Sequence, residues 1–275
     1  MSDRSRSTAS FRHIDAFATE PFEGNSAAVY RLDAFPPDDL MLKIAREHNL
    51  AETAWVVPDH SGEADYQLRW FTPAVEVELC GHATLASGHA ILSDDPDRDA
   101  VRFRTLKGAG VLTVARQKDG YSLDLPSWET QPTEYNRLAA AFGAAPKELR
   151  VTDSEGEDSF LAIYDTAADV RALRPDFNAM APLGNYLIIA TAPGDEPGID
   201  VVSRVFAPGA GINEDPVTGS AHAILTPYWA DRLGRDEFHA YQASERGGHV
   251  LCRRSGNRAV LTGSCVDVIR GELLV

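Results

Sequence analysis

The residues Val77 to Leu92, VELCGHATLASGHAIL, form a nearly uncharged run in which only Glu78 carries a full charge. From Gly81 to Leu92 this run has the length of an ordinary helix and is small or apolar around its circumference. Such a helix must be buried on all sides. A curved, mainly antiparallel sheet around a central helix meets that requirement, so the run predicts an α+β unit built around it.

The second half of the chain contains a similar segment. EDPVTGSAHAILTPYWADRLG, residues 214–234, predicts a loop that opens into an amphipathic helix ending at Gly234. The two helix openings, Gly81-His82-Ala83 and Gly219-Ser220-Ala221, lie half the chain apart, and HAIL follows both of them. In each half, strand-like segments precede and follow the helix, which indicates two similar domains that arose by duplication.

This organisation predicts three segments. Residues 1–10 form a disordered tail, residues 11–126 the first domain and residues 127–265 the second. The last residues, 266–275, are expected to pack back on the first domain. Hydrophobic periodicity predicts two further helices, at 36–50 and 134–142, and strands over most of the remaining chain.

Charge and composition exclude some classes of partner. The 275 residues carry a formal net charge of −15, and such a surface repels nucleic acids and anionic membranes. Three cysteines at no metal-like spacing argue against a disulfide framework. No apolar run has the length of a membrane span, and the first ten residues lack the apolar core of a signal peptide. We therefore expect a cytoplasmic protein.

The two helix openings offer binding chemistry. The first turn of a helix has unpaired backbone N–H groups and the positive end of the helix dipole. Small residues, as at Gly81, Ala83 and Gly219, let a ligand approach those groups, so a carboxylate substrate held in a cleft between two such openings is one interpretation. Ordinary capping of the second helix by Thr218 or Ser220 is the alternative.

Several segments resemble a known family. They are HIDAFATEPFEGNSAAVY (13–30), AETAWV (51–56), FTPAVEVELCGHATLASGHAIL (71–92) and EDPVTGSAHAILTPYW (214–229). In this order they resemble the signature blocks of the phenazine biosynthesis PhzF-like isomerases, which are similar in fold to diaminopimelate epimerase and proline racemase. Ser26 departs from the pattern, because family members usually carry proline after Gly-Asn.

The resemblance implies two barrel-like domains around central helices, a homodimer, and neither cofactor nor metal. It implies that Glu52 is the acid/base residue and that His82 and Asp215 assist it as catalytic residues. Substrate binding is assigned to five further residues: Gly81, Ala83, Gly219, Ser220 and Asp15. The expected partner is a small carboxylate metabolite.

The three catalytic candidates also have structural interpretations. Glu52 lies between a helix end and the apolar segment TAWVVP, where partial burial disfavours its charged form and suits proton transfer near neutral pH. An exposed loop glutamate is the alternative. Asp215 is otherwise a helix cap, and His82 a core histidine whose hydrogen bonds are satisfied.

Cys80 occupies the place of one of the two thiols that proline racemase-like enzymes use. The second place has no cysteine, because EDPVTGS contains Asp215 but no cysteine, and Cys252 and Cys265 lie far downstream. A two-thiol mechanism is therefore disfavoured, and Cys80 is interpreted as a small residue at a helix N-terminus rather than the base. The glycine-rich GAGVLTV (108–114) precedes a strand and lacks the dinucleotide-binding fingerprint.

These observations predict a cofactor-independent isomerase that moves a proton on a small carboxylated metabolite. Two alternatives stay open: an epimerase or racemase that inverts a stereocentre, and a non-catalytic small-molecule-binding protein of the same fold.

Overall fold

A computed structural model describes residues 8–108, 110–152 and 159–274. These residues divide into two compact units. The first unit contains the described residues up to Leu123 together with those from Gly263 onward, and the second runs from Asp124 to Thr262. The sequence predicts the corresponding boundaries after residues 126 and 265. No helix in the described part of the chain combines the length and apolar character that a membrane span requires.

The first unit is a sheet with two helices. Its strands are β1 (Thr8–Ala16), β2 (Asn25–Arg31), β3 (Glu52–Pro58), β4 (Tyr66–Phe71), β5 (Glu76–Val77), β6 (Ala100–Thr105), β7 (Val111–Gln117), β8 (Gly120–Pro126) and β18 (Cys265–Leu274). Its helices are α1 (Asp38–His48) and α2 (Gly81–Leu92). Asn49, in the left-handed conformation, ends α1 within the region predicted as helix.

The second unit is likewise a sheet with helices. Its strands are β9 (Thr130–Pro132), β10 (Glu148–Thr152), β11 (Ser159–Ile163), β12 (Leu187–Pro193), β13 (Val201–Ala207), β14 (Ile212–Asp215), β15 (Glu237–Gln242), β16 (Gly248–Ser255) and β17 (Arg258–Gly263). Its helices are α3 (Asn136–Ala141), α4 (Ala167–Ala172), α5 (Phe177–Met180) and α6 (Gly219–Leu233). The short α4 and α5 were not predicted from the sequence.

The two sheets share one topology. In the first unit β18 pairs antiparallel with β1, β1 with β2 and β3 with β4, whereas β2 and β3 run parallel. β4 then pairs antiparallel with β5 and parallel with β6, and antiparallel pairs β6–β7 and β7–β8 complete the order. The strands β9 to β17 repeat every one of these relations in the second unit. The prediction of two similar, mainly antiparallel α+β domains is confirmed.

Helix α2 is the centre of the first unit. It packs against β1, β2, β3, β6, β7 and β18, and every residue of it except His89 is buried. The hydroxyls of Thr84 and Ser87 donate to the carbonyl groups of Cys80 and Ala83, at 2.6 and 2.7 Å, so these buried polar atoms are paired within the helix itself. The prediction of a helix buried on all sides is confirmed.

Helix α6 differs from its prediction in one respect. It begins at Gly219, and Gly234 closes it in the left-handed conformation, but it is not amphipathic. Its residues from Ala221 to Ala230 are buried, and the charged Asp231 and Arg232 fall in its last turn. The polar residues of the segment therefore mark the helix end rather than one face.

The predicted disordered tail is wrong for its last three residues. Thr8, Ala9 and Ser10 belong to β1 and pair with Leu274, Leu273 and Glu272 of β18. The final strand of the chain supplies the hydrogen bonds that order them, and residues 1–7 lie outside the described part. The prediction that the chain end packs on the first domain agrees with this pairing.

The close packing of α2 gives a test of the fold. A Cβ atom added at Gly88 meets Val114 Cγ1 at 2.3 Å, so Gly88→Ala forces this core apart. We expect a loss of about 1–3 kcal/mol in the free energy of unfolding, despite the better helix propensity of alanine. Urea unfolding measures it. Val114→Ala removes the two clashing methyl groups but keeps Cβ, which stands 2.6 Å from the added atom. The double variant is therefore expected to lose somewhat less than the sum of the two single variants. A Gly88→Ala variant as stable as wild type would contradict this packing.

Candidate active site

Glu52 and His82 form a buried pair in the first unit. Glu52 is the first residue of β3, and His82 lies in the first turn of α2; only 8% and 4% of these residues are exposed. The imidazole Nε2 lies 2.9 Å from Glu52 Oε2, which is a buried ion-pair contact. The structure thus brings together two of the three residues predicted to be catalytic.

Asn25 completes this group from a third element. It is the first residue of β2 and is fully buried, and its Nδ2 lies 3.1 Å from His82 Nδ1. Gly24 makes this placement possible, because it has φ 61° and a Cβ there would stand 2.1 Å from the carbonyl oxygen of Ala16. As a sequence pattern, a Gly-Asn dipeptide indicates only a turn. The contact between Asn25 and His82 joins residues 57 positions apart, and no local pattern reveals it.

Cys80 lies beside the imidazole as the residue that caps α2. Its Sγ is 3.6 Å from His82 Nδ1. Burial, with the Glu52 carboxylate as a second cause, raises the pKa of the Cys80 thiol to about 11. The sulfur is therefore protonated at neutral pH, and this agrees with the interpretation that Cys80 is not the base.

The electrostatic balance at His82 favours its charged form. Burial of the ring works to lower its pKa, but the Cys80 sulfur and the Glu52 carboxylate oppose burial, and the pKa of His82 lies well above its ordinary value. Because Cys80 holds its proton at neutral pH, the Glu52 carboxylate is the anion that acts there. The pair places a positive charge at the start of α2, where the free N–H groups of the first turn also lie.

Gly81 and Ala83 flank His82 in the same turn, and both are buried. Neither residue has a long side chain that would cover the backbone N–H groups of the turn, which is what a carboxylate-binding helix start requires. Asp15 is also buried, and its Oδ2 accepts the N–H of Phe22 at 2.8 Å, which holds the turn between β1 and β2. Its assignment to substrate binding stays a prediction.

In the second unit, Asp215 is the last residue of β14, and Thr218 is the N-cap of α6. The N-cap position thus belongs to Thr218 rather than to Asp215, whose Oδ2 accepts the hydroxyl of Thr218. Gln242, fully buried on β15, donates from Nε2 to the Asp215 carbonyl at 2.6 Å and accepts the Thr218 N–H at 3.0 Å. Gln242 therefore fixes the loop that ends at Gly219 and Ser220, the predicted binding residues.

An arginine–glutamate pair supports the helix start in both units. Arg69 on β4 makes two hydrogen bonds to Glu76 on β5, at 2.7 and 2.9 Å. Arg204 on β13 makes the same two to Glu214 on β14, at 2.7 and 2.8 Å. Each glutamate precedes the first glycine of its helix by the same interval, so the two pairs hold equivalent hairpins. Such bidentate contacts give geometric precision as well as energy.

This equivalence aligns the two helix starts residue by residue. Cys80 corresponds to Thr218, Gly81 to Gly219 and His82 to Ser220. The second unit therefore has a hydroxyl where the first has a thiol. Sequence reasoning missed the two arginine–glutamate pairs, although the repeat, once extended upstream from the glycines, contains them.

Three side chains of the site have metal-ligand chemistry. Glu52, Cys80 and His82 each offer one ligand atom, all three are buried, and the three atoms lie within 4.8 Å of one another. The sequence search for metal spacing missed this group because Glu52 comes from a different element. The prediction that the protein needs no metal stays untested.

Comparisons with known proteins agree on one family. The family model described as phenazine biosynthesis-like protein, PhzC-PhzF, matches residues 14–271. An uncharacterized isomerase from Pseudomonas aeruginosa is 45% identical over 266 residues, which cover 96% of this chain and 97% of that protein. The crystal structure of a PhzF-family phenazine biosynthesis protein from Enterococcus faecalis has a TM-score of 0.86 and 38% identity, and the match covers 98% of this chain and all of that one.

A more distant structure shares the fold alone. A hydroxyproline epimerase from Agrobacterium vitis, with bound trans-4-hydroxy-L-proline, has a TM-score of 0.63 at 11% identity, and the match covers all of this chain and 94% of that one. The epimerase-like fold class expected from the sequence is thereby confirmed.

The Glu52–His82 contact predicts a linked titration. Because His82 has a raised pKa in the folded state, its contribution to stability is present below about pH 6.5 and is lost as pH rises through the folded-state pKa. In Glu52→Gln the pKa of His82 is expected to fall, since burial remains and the anion is gone. Histidine-selective NMR titration of the metal-free protein measures both values. An unchanged pKa of His82 in Glu52→Gln would show that the carboxylate does not set it.

Proposed function

Because the chain belongs to the phenazine biosynthesis-like family, whose bacterial relatives include proteins named isomerases, we propose that it is a cofactor-independent isomerase. Its substrate would be a small carboxylated metabolite, and its reaction the movement of a proton between two carbons. The observation that carries the proposal is the buried contact of Glu52 with His82 at the start of α2. In that contact the Glu52 carboxylate can carry a proton and the His82 imidazole supplies a positive charge. Both lie at a helix start whose free N–H groups suit an anion.

Glu52 is the acid/base residue of the proposal. Its carboxylate takes a proton from a carbon next to an activating group, and the electron pair of that C–H bond delocalises into the substrate. The carboxylic acid so formed returns the same proton to a second carbon, and a double bond shifts between them. No oxidant or co-reactant enters this balance. Positioned acid/base catalysis of this kind contributes about 10²–10⁴-fold to a rate.

His82 stabilises the charges that the reaction creates. His82 Nε2 lies 2.9 Å from Glu52 Oε2, and the Asn25 amide lies 3.1 Å from the other ring nitrogen, so contacts on both sides orient the imidazole before substrate binds. Fixed donors of this kind stabilise developing negative charge without reorganising during the reaction. Gly81 and Ala83 would present their N–H groups to the substrate carboxylate.

The second unit contributes Asp215, Gly219 and Ser220 to the proposal. Its helix start repeats that of the first unit, and Gln242 and Thr218 hold Asp215 in a defined conformation. Asp215 would stabilise or transfer a proton on the same substrate. The homodimer and the cytoplasmic location implied by the family resemblance also remain proposals, of which sedimentation velocity tests the first.

The epimerase alternative needs a second base that acts from the opposite face of the substrate carbon. No thiol supplies it at the second helix start, because Thr218 stands where the first helix start has Cys80. The isomerase proposal, with one base for both proton transfers, is therefore the better supported. A binding protein without catalytic activity would not need a buried carboxylate, Glu52, in contact with a cationic imidazole, His82.

The proposal is tested by a screen of carboxylate metabolites in D₂O, followed by NMR. Wild type is expected to give deuterium exchange or an isomerised product, and Glu52→Gln to slow either by about 10²–10⁴-fold. Glu47→Gln is the matched control, since it makes the same change on the exposed surface of α1 and should retain activity.

Three outcomes would contradict the proposal. Exchange that survives Glu52→Gln but not Cys80→Ala would favour thiol chemistry. Exchange with loss of optical activity would favour an epimerase. Ligands that bind wild type and Glu52→Gln equally, with no exchange in either, would favour a binding protein.

A further inference from the structure

We propose that Glu52, Cys80 and His82 form a binding site for one thiophilic divalent cation of the Zn²⁺ type, and that the bound cation inhibits the protein. The binding claim stands on the geometry of these three side chains. The inhibition claim rests on the proposed function, because it requires Glu52 to be the acid/base residue.

Two of the three ligand distances are close to those of a tetrahedral zinc site, and the third, between Glu52 and Cys80, lies within 4.8 Å. Zinc–sulfur and zinc–nitrogen bonds of about 2.3 and 2.0–2.1 Å place neighbouring ligand atoms roughly 3.3–3.6 Å apart. Here Glu52 Oε2 and His82 Nε2 are 2.9 Å apart, and Cys80 Sγ is 4.0 Å from the same nitrogen. The first distance must open and the second must close, each by roughly half an ångström. Because Cys80 Sγ lies nearer to Nδ1, at 3.6 Å, the imidazole must also turn so that Nε2 faces the sulfur.

The charges also balance. A thiolate and a carboxylate together neutralise a divalent cation, so the filled site carries no net charge in its buried surroundings. On binding, the Cys80 sulfur and His82 Nε2 each give one proton to solvent, and their electron pairs form the bonds to the metal. Metal sites of this kind bind by releasing protons from their ligands.

Asn25 supplies the outer contact that metal-bound histidines ordinarily have. A ligating imidazole almost always bonds through its other ring nitrogen, which fixes the orientation of the ring. The Asn25 side chain lies 3.1 Å from His82 Nδ1 and is fully buried. Nδ1 carries a hydrogen both in the protonated ring and in a ring that binds metal through Nε2, and the amide accepts this hydrogen when its oxygen is turned toward the ring.

Three protein ligands leave the fourth position of the cation open, as in catalytic zinc sites. In this protein the consequence is inhibition, because the metal occupies the oxygen of Glu52 and the nitrogen of His82 that face each other in the metal-free site. The thiolate and imidazole select zinc-like ions, whereas Mg²⁺ and Ca²⁺ prefer oxygen ligands.

Titration of the metal-free, full-length protein with Co²⁺ tests the binding claim. A thiolate bound to Co²⁺ gives a charge-transfer absorption band, and we expect it to saturate at one equivalent and to disappear when Zn²⁺ is added. Cys80→Ala and Cys80→Ser should both abolish the band, so the result does not depend on the folding of one variant. Cys252→Ala and Cys265→Ala are the matched controls, since each removes a different thiol and should keep the band.

Competition with Co²⁺ measures the Zn²⁺ affinity of Glu52→Gln and of His82→Gln. Each variant is expected to bind Zn²⁺ about 100-fold more weakly than wild type, or weaker still. Losing an outer contact costs only roughly 10–100-fold in affinity, so a larger loss identifies a direct ligand. A band that survives both Cys80 variants, or no band in wild type, would overturn the site. Mg²⁺ should leave the Co²⁺ band unchanged.

The inhibition claim has a separate readout. One equivalent of Zn²⁺ should abolish the deuterium exchange of wild type, and a chelator should restore it. A metal band without any effect of Zn²⁺ on an active enzyme would leave the site standing and overturn inhibition. If deuterium exchange depends on Glu52 but wild type shows no Co²⁺ band, the proposed function stands and the metal site is overturned.

Discussion

The interaction on which the site depends is a buried ion pair between the Glu52 carboxylate and the His82 imidazole at the start of α2. Removing Glu52 and His82 from water is costly, and their attraction returns that cost only in good geometry. Replacing such a pair by well-packed apolar residues often leaves a protein as stable, so stability alone does not account for this one. The Glu52–His82 pair is instead suited to hold an anion and to move a proton. Small residues, the buried amide of Asn25 and the start of α2 surround the pair.

The repeated architecture explains how the chain supports such a site. Each unit ends a hairpin with a glutamate bound by an arginine of the neighbouring strand, and each then starts a buried helix at a glycine. The backbone framework is therefore the same twice, while the side chains differ: Cys80 and His82 in one unit, Thr218 and Ser220 in the other. The chemistry of the two helix starts has diverged on a shared scaffold.

Much of the fold was predictable, because burial of α2 follows from its composition and the repeat follows from HAIL and the two glycine-led helix starts. Glu52, His82 and Asp215 were predicted mainly through family resemblance. The structure brings Glu52 and His82 together; a role for Asp215 in the same reaction remains proposed.

Asn25 and Gln242 were not predicted, since their partners are 57 and 24 positions away and an amide has no distinctive spacing. The amphipathic assignment of α6 failed because Asp231 and Arg232 lie at its end, and Thr8 to Ser10 were misjudged because the strand that orders them is the last in the chain.

The central claim is that Glu52 and His82 act as one catalytic unit. A double-mutant cycle on kcat/KM, with Glu52→Gln, His82→Gln and both together, tests it directly on whichever metabolite wild type turns over. Residues that act as a unit give strongly non-additive losses, so the double variant is expected to be no slower than Glu52→Gln alone. Losses that multiply, with each substitution acting as if the other were absent, would contradict the claim.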